Sequence, residues 1–449
     1  MSENTSKHDS EMLVPLNKRN YWLTVINGIM AMTGGRLMDL RTVLPLLMVR
    51  LTGRAWTVGL LETMFVIAPA IPQLIAARWV DTLECKRPQY ARYSVYRFLA
   101  LAALTASVLA ADFIPNIVVA ILFFFFFTIR YAAQGMTTLC FRDIIAKSVP
   151  TTRRGTLWMW RWIGGITMIF LVAVPTIRYL LGDVSPLEFP LNYGALLASG
   201  TLVMGIGWVV FSQIDEPDSR PAKHTLTWSQ HFARSLRVWR RDAKFRRFVV
   251  IRMTLVGAGA IRPFFIAFGA QVWGLPDVVA AVFVTIEAIS QGLGALVGGH
   301  ISDRVGNRAV LLLAGSMIFI TAFGAVLLAQ FVPEGVFEIF GYALSYRVVA
   351  LALCYTGGGA FASIASTGYT NYMLDIAPQR MRPSYMAFER VFISPVGFIP
   401  ICFGWLVDAV SYQLVFGIGA ALSAVAIFFA VRLDEPRDEL SEEELDEFR

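Results

Sequence analysis

GHISDRVGNR, residues 299–308, is a short polar turn set between two apolar runs, 278–300 and 308–332, and that setting decides how the chain is built. A helix rises 1.5 Å per residue, so about 20 mostly apolar residues cross the roughly 30 Å hydrocarbon layer of a bilayer. Both flanking runs are long enough, and the turn between them carries Arg304 and Arg308. The arrangement predicts two antiparallel membrane helices joined by a basic loop.

The same pattern continues in both directions. Of 449 residues, 56% are hydrophobic, 16% are charged and 33 are Phe, a balance that a soluble surface could not accommodate. Apolar runs at 22–50, 56–77, 95–112, 115–139, 157–181 and 193–213 predict six spans. Runs at 248–272, 278–300, 308–332, 338–373, 385–407 and 411–432 predict six more. The first and tenth exceed the required length and must tilt, bend or protrude. The reading is an all-α membrane protein without a sizeable soluble domain.

Basic residues set the orientation, because short cytoplasmic loops are enriched in Lys and Arg. Arg78, Lys86, Arg87 and Arg92 follow the second run, Arg153 and Arg154 the fourth, Arg304 and Arg308 the eighth, and Arg380 and Arg382 the tenth. Arg50, Arg54 and Arg178 go against this trend and are outnumbered. Both termini are therefore expected in the cytoplasm. The first residues, MSENTSKHDSEMLVPLNK, lack the apolar region and cleavage site of a secretory signal.

The expected organisation is a cytoplasmic tail (1–20), a six-helix bundle (21–213), a linker (214–247), a second bundle (248–432) and an acidic tail (433–449). In the linker, Trp228, Phe232, Leu236 and Trp239 recur at helical spacing among Arg234, Arg237, Arg240, Arg241 and Lys244. This predicts a helix lying on the inner membrane surface that tethers the halves. The net charge of +7 resides in such loops, so no nucleic-acid partner is expected. The cysteines Cys85, Cys140, Cys354 and Cys402 are far apart and imply no disulfide framework.

The halves repeat. Asp215-Glu216-Pro217 follows the sixth run and Asp434-Glu435-Pro436 the twelfth. VPTTRRG (149–155) and APQRMRP (377–383) align Pro150 with Pro378 and Arg154 with Arg382, and Asp81 aligns with Asp303. Six duplicated helices imply two pseudo-symmetric bundles that rock about a site between them.

On these residues the chain resembles the major facilitator superfamily over nearly its whole length. Gly299, Asp303, Arg304, Gly306 and Arg308 match that family's loop motif; the first-half copy keeps Asp81 but has Ala77 and Glu84 where glycines stand in the motif. The resemblance implies a cytoplasmic gate in which Asp303 faces the start of the fifth helix near Arg154 and Gly155. IRYAAQG (129–135) is similar to a second motif linked to proton coupling, with Arg130 and Gln134 separated by three residues instead of two. The proline- and glycine-rich motif of the family's drug antiporters is not evident in RWIGGITMIFLVAVP.

Charges inside apolar runs point to a site, because an ionised group at a helix centre costs about 2.5–3.5 kcal/mol unless it faces a cavity or partner. In GGRLMDLRTVLP (34–45), Arg36 and Asp39 are spaced to pair, which leaves Arg41. Arg41 precedes Gly53 by twelve residues and Arg262 precedes Gly274 by twelve, about 18 Å along a helix. Two opposed guanidinium groups can clamp a carboxylate or phosphate. The alternative is local pairing, with Glu62 and Glu287 as counter-ions.

The candidate substrate-binding residues are Arg41, Arg262, Arg36, Arg130, Gln134 and Gln291. Asp39, Glu62 and Glu287 are the candidate counter-ions or carriers of a coupling proton, and Asp81, Asp303, Arg304, Gly306 and Arg308 the candidate gate. Arg161, Arg347 and Glu389 are expected near span ends, reaching headgroups. No phosphate loop, metal-ligand spacing or nucleophile-base pair stands out, so neither ATP hydrolysis, a metal, a cofactor nor enzymatic activity is expected.

The leading expectation is a secondary active transporter in the cell inner membrane for a small anionic or zwitterionic solute, coupled to a proton or other ion and working as a monomer. Proton-coupled efflux of hydrophobic compounds is one alternative. A non-transporting sensor or assembly factor of the same fold is another.

Overall fold

The computed structural model describes residues 17–80, 83–217, 243–339, 342–377, 385, 389 and 392–435. Asp81, Arg380, Arg382 and the amphipathic segment around Trp228 lie outside the described residues.

The first half contains α1 (Lys18–Leu37), α2 (Val43–Thr52), α3 (Trp56–Ile67), α4 (Ala70–Val80), α5 (Arg87–Leu109), α6 (Asn116–Ser148), α7 (Thr151–Met168), α8 (Val174–Leu181) and α9 (Leu191–Phe211). A π-helical turn, Ile169–Ala173, joins α7 to α8. The second half contains α10 (Ala243–Gly259), α11 (Pro263–Gln271), α12 (Val279–Arg304), α13 (Asn307–Phe331) and α14 (Tyr346–Ile376). It ends with a 3-10 turn (Ser394–Phe398), α15 (Ile399–Ala409) and α16 (Tyr412–Val431).

Among the described residues, eight helices are long and apolar enough to cross a membrane. The difference from the twelve expected spans has physical causes. The first and second runs are each divided, into α1 with α2 and α3 with α4. α5 has the length, at 23 residues, but carries Arg87, Arg92 and Arg97. The eleventh run contains the shorter apolar segment Ser394–Ala409.

The tenth span also starts later than expected. Residues expected in it from 338 onward instead complete a two-stranded hairpin, β1 (Val336–Ile339) with β2 (Tyr342–Ser345), pairing Phe337 with Leu344. Gly335, at φ 150°, reaches a region that only glycine occupies readily, and α14 follows directly. A run of apolar residues does not by itself distinguish strand from helix.

Helix ends follow local chemistry. Asn17 caps α1 by accepting from the amides of Arg19 and Asn20, and Ser411 caps α16 by accepting from Leu414. Outward faces expose large apolar side chains, including Leu171, Leu202, Val209, Leu296, Ile320 and Leu353, each more than 60% exposed. Such surfaces suit lipid, where backbone polar groups must be satisfied within the helix itself.

The described residues divide into two compact units, one holding residues up to 39 and 64–217, the other residues 40–63 and those from 243 onward. Unit 1 has a core of Tyr21, Val25, Tyr90, Cys140, Ile144, Leu157 and Phe211, with the Tyr90 and Phe211 rings 4.7 Å apart.

Unit 2 is built on Phe264, Phe265, Phe268, Phe283 and Phe416, all essentially inaccessible. Within it the first two turns of α3 lie directly on α15. A Cβ on Gly59 would run into the Pro400 carbonyl, and one on Gly404 would come within 2.5 Å of the Trp56 Cα. Asp408 accepts from the amides of Ala55 and Trp56 at 2.9 and 3.0 Å, closing the start of α3.

Candidate functional site

Arg41 and Arg262 both sit where a helix is interrupted. Between α1 and α2 the backbone leaves helical geometry at Met38 (φ −119°, ψ 47°) and Thr42 (φ −130°, ψ −71°). Between α10 and α11, Arg262 is the N-cap and Pro263 follows it. Proline has no N–H and its ring crowds the carbonyl four residues earlier, so the helix cannot run through unchanged. Twelve residues further on, Gly53 and Gly274 adopt the same left-handed conformation, at φ 66° and 64°. The repeat is thus written into the backbone as well as the sequence.

Both arginines converge on Glu287 of α12, which is fully buried. Its Oε1 accepts from Arg262 Nη2, from Gln291 Nε2 at 2.9 Å and from Arg41 Nη1 at 3.4 Å. The Arg262 side chain is 7% exposed and that of Arg41 29%. Gly358 on α14 leaves room for Arg262, since a Cβ there would stand 3.2 Å from its Nε. Gly359 lets α14 approach α12 at Glu287, whose carbonyl would lie 3.1 Å from an added Cβ.

The break before α2 leaves carbonyls without helical partners, and inside a membrane protein these need a donor. Tyr355 supplies one: its hydroxyl donates to the Arg41 carbonyl at 2.7 Å. Its ring is held by stacking on Phe283, with centroids 4.6 Å apart and planes 6° apart, and by Phe265 edge-on. Tyr355 was not legible as a site residue, because a lone tyrosine in a glycine-rich span carries no motif.

Arg36 pairs with Asp39 at 2.9 Å, at the end of α1. Glu62 is half-buried on α3. Glu287 is a counter-ion to both Arg41 and Arg262, so two guanidinium groups meet on one carboxylate.

In unit 1, Arg130 Nη1 donates to Gln134 Oε1 at 2.9 Å along α6. Arg97 of α5 joins the same oxygen at 3.4 Å and donates to Thr137 at 3.2 Å. Sequence reasoning missed Arg97 because basic residues nearby read as topology signals. The usable signal was its phase: Tyr90, Ser94, Arg97, Leu101, Leu104 and Val108 form the buried face of α5.

Two expectations are corrected. Arg161 does not reach for headgroups; it is buried, donates to the Thr24 carbonyl and lies 5.0 Å over the Trp158 ring. Glu389 is buried and pairs with Arg252.

Residues 299–304, expected in a polar turn, complete α12, and the short turn at Val305 and Gly306 before α13 is shaped by a carboxylate. Gly306 has φ 116°, and a Cβ there would meet the Glu435 carboxylate at 2.5 Å. Glu435 Oε2 accepts from the Arg308 amide at 2.8 Å, at the start of α13. Asn307 ties the turn to Ser302 and Asp375, each at 2.6 Å, while Asp303 and Arg304 are exposed.

Glu216 does the same in unit 1. Its Oε2 accepts from the amides of Lys86 and Arg87 at 2.6 Å where α5 begins, and Oε1 takes Lys147 at 3.0 Å. Asp215 holds Arg19 of α1 at 2.5 Å, and Asp434 holds Arg247 of α10 at 3.7 Å. In each half the first acid of Asp-Glu-Pro ties down the half's opening helix and the second neutralises the N-terminus of another. Arg154 donates to the carbonyls of Val149 and Ala146, closing the end of α6.

Residues 21–388 match the sequence pattern of the Major Facilitator Superfamily. The chain belongs to that superfamily. It is therefore a multi-pass integral membrane protein of a transporter family. No curated protein matches this facilitator.

Solved structures share its fold. A point mutant of the nucleoside transporter NupG superposes with a TM-score of 0.67 at 16% identity, covering 92% of this chain and 100% of that one. A D-xylose-proton symporter gives 0.67 at 13% identity, covering 95% and 100%. A POT family transporter in complex with 5-aminolevulinic acid gives 0.64 at 11% identity, covering 92% and 95%.

Proposed function

We propose that this facilitator is a secondary active transporter that moves a small anionic or zwitterionic solute by alternating access. The observation that carries the reading is the pair of arginines at the two helix breaks, held on one buried carboxylate. Broken helices lend a transporter both a hinge and polar backbone at the depth where a solute binds. Arg41 makes the longer contact with Glu287 and is the more exposed, so it is the group that transfers to an incoming anion.

Glu287 then has a natural part in coupling. While ionised it holds Arg262 and Arg41; once protonated it releases both for the solute. Gln291 donates to the same oxygen and adds a neutral donor to the cluster. Arg36, Arg130 and Gln134 are the further substrate-facing donors, Asp39 and Glu62 the further acids, and Asp303, Arg304, Gly306 and Arg308, with Asp81, the gate. The protein works as a monomer in the cell inner membrane with both termini cytoplasmic.

Uptake into proteoliposomes tests the assignment. Wild-type protein should accumulate at least one member of a panel of small carboxylates, phosphates and zwitterions, and Arg41→Gln and Arg262→Gln should each lower the rate at least tenfold. Absence of uptake across the panel would contradict it.

A further inference from the structure

Unit 1 holds a second cationic cluster of a different kind. Arg97 and Arg130 are 9% and 6% exposed, and among the described residues neither is paired with a carboxylate. Both point at one neutral oxygen, Gln134 Oε1. The remaining acceptors are weak or few: Thr137 for Arg97, and for Arg130 the Met204 thioether sulfur at 3.6 Å. Arg97 Nε is buried without a hydrogen-bond partner.

A guanidinium offers five N–H donors, so the two together offer about ten. Three acceptor atoms cannot saturate them. The rings that flank the cluster add attraction but no anion: Arg97 lies 4.1 Å from the Trp208 ring centroid and Arg130 3.9 Å from that of Tyr131. Those ring contacts supply no hydrogen-bond acceptor in the guanidinium plane. Two like charges brought to one amide oxygen in a buried place repel each other, and an anion would relieve both the repulsion and the unfilled donors.

We propose that Arg97, Arg130, Gln134 and Thr137 form an oxyanion site within unit 1, which takes a carboxylate or phosphate group between the two guanidinium edges. The planar forks of arginine suit such a group better than the point charge of lysine. The proposal deepens the transport reading, on which it rests for the meaning of the bound anion, and it names the chemical group that this half of the protein recognises.

The test is binding by the full-length protein in detergent, followed by thermal unfolding and calorimetry, with sodium succinate and inorganic phosphate as probes and sodium chloride at matched ionic strength as the control. One or both probes should raise the melting temperature saturably where chloride does not. Response to succinate alone marks a carboxylate site, and response to phosphate alone a phosphate site. Arg97→Gln and Arg130→Gln should each weaken binding at least tenfold, and Arg97→Lys, which keeps the charge and so guards against misfolding as a cause, should retain binding that is weaker than wild type.

Absence of a saturable response in the wild type would overturn the proposal, as would full response in Arg97→Gln/Arg130→Gln. Proteoliposome uptake separates it from the transport reading. Uptake that persists while neither probe binds removes this site and leaves the transporter; binding without uptake does the reverse.

Discussion

At the scale of single residues, Glu287 pairs with two arginines. Removing one partner of a buried ion pair leaves an uncompensated charge and costs about 3–5 kcal/mol. Glu287→Gln is therefore expected to lower unfolding stability by about that amount, measured by thermal or denaturant unfolding in detergent, and to abolish any dependence of uptake on a proton gradient. Gly358→Val should act through the same cluster, because the branched side chain would displace Arg262 from its place beside α14. The charged positions were legible at this scale because ionised groups stand out in apolar runs. Their partners were not: Glu287 lies 25 residues from Arg262 and 246 from Arg41, and only packing brings them together.

At the scale of elements, helix ends and interruptions decide the geometry. Asp408 closes the start of α3 from α15, so Asp408→Ala should cost about 0.5–2 kcal/mol, as loss of a helix cap does, in the same unfolding measurement. Replacing Gly59 by Leu should be harsher, since it drives a side chain into the Pro400 carbonyl. Apolar length made most spans readable, but not their internal breaks. Pro263 marks the one after Arg262, whereas the break at residues 38–42 has no proline and rests on Tyr355, more than 300 residues away. The strand pair Val336–Ile339 and Tyr342–Ser345 was hidden because its residues are apolar enough to extend the following span. Arg97 was hidden by its basic neighbours, although the phase of α5 held the clue.

At the scale of the whole molecule, the duplicated Asp-Glu-Pro motifs show why the repeat could be read so far apart in sequence. Each copy performs the same two electrostatic tasks, so each keeps the same residues. The positive-inside pattern argues for both termini in the cytoplasm. A fluorescent protein fused after Arg449 should therefore fluoresce, and a periplasmic phosphatase fused at the same point should be inactive; the opposite pair of results would reverse the orientation. Family and fold followed from the loop GHISDRVGNR and the repeat, while the solute depends on side chains that meet only in the folded protein.

The most direct test of the central claim is current recorded from proteoliposomes on a solid-supported membrane as small anions and zwitterions are applied. The wild type should give transient currents for at least one of them, and Arg262→Gln should lose those currents while remaining folded. Equal responses from wild type and Arg262→Gln, or no current for any solute, would contradict the account.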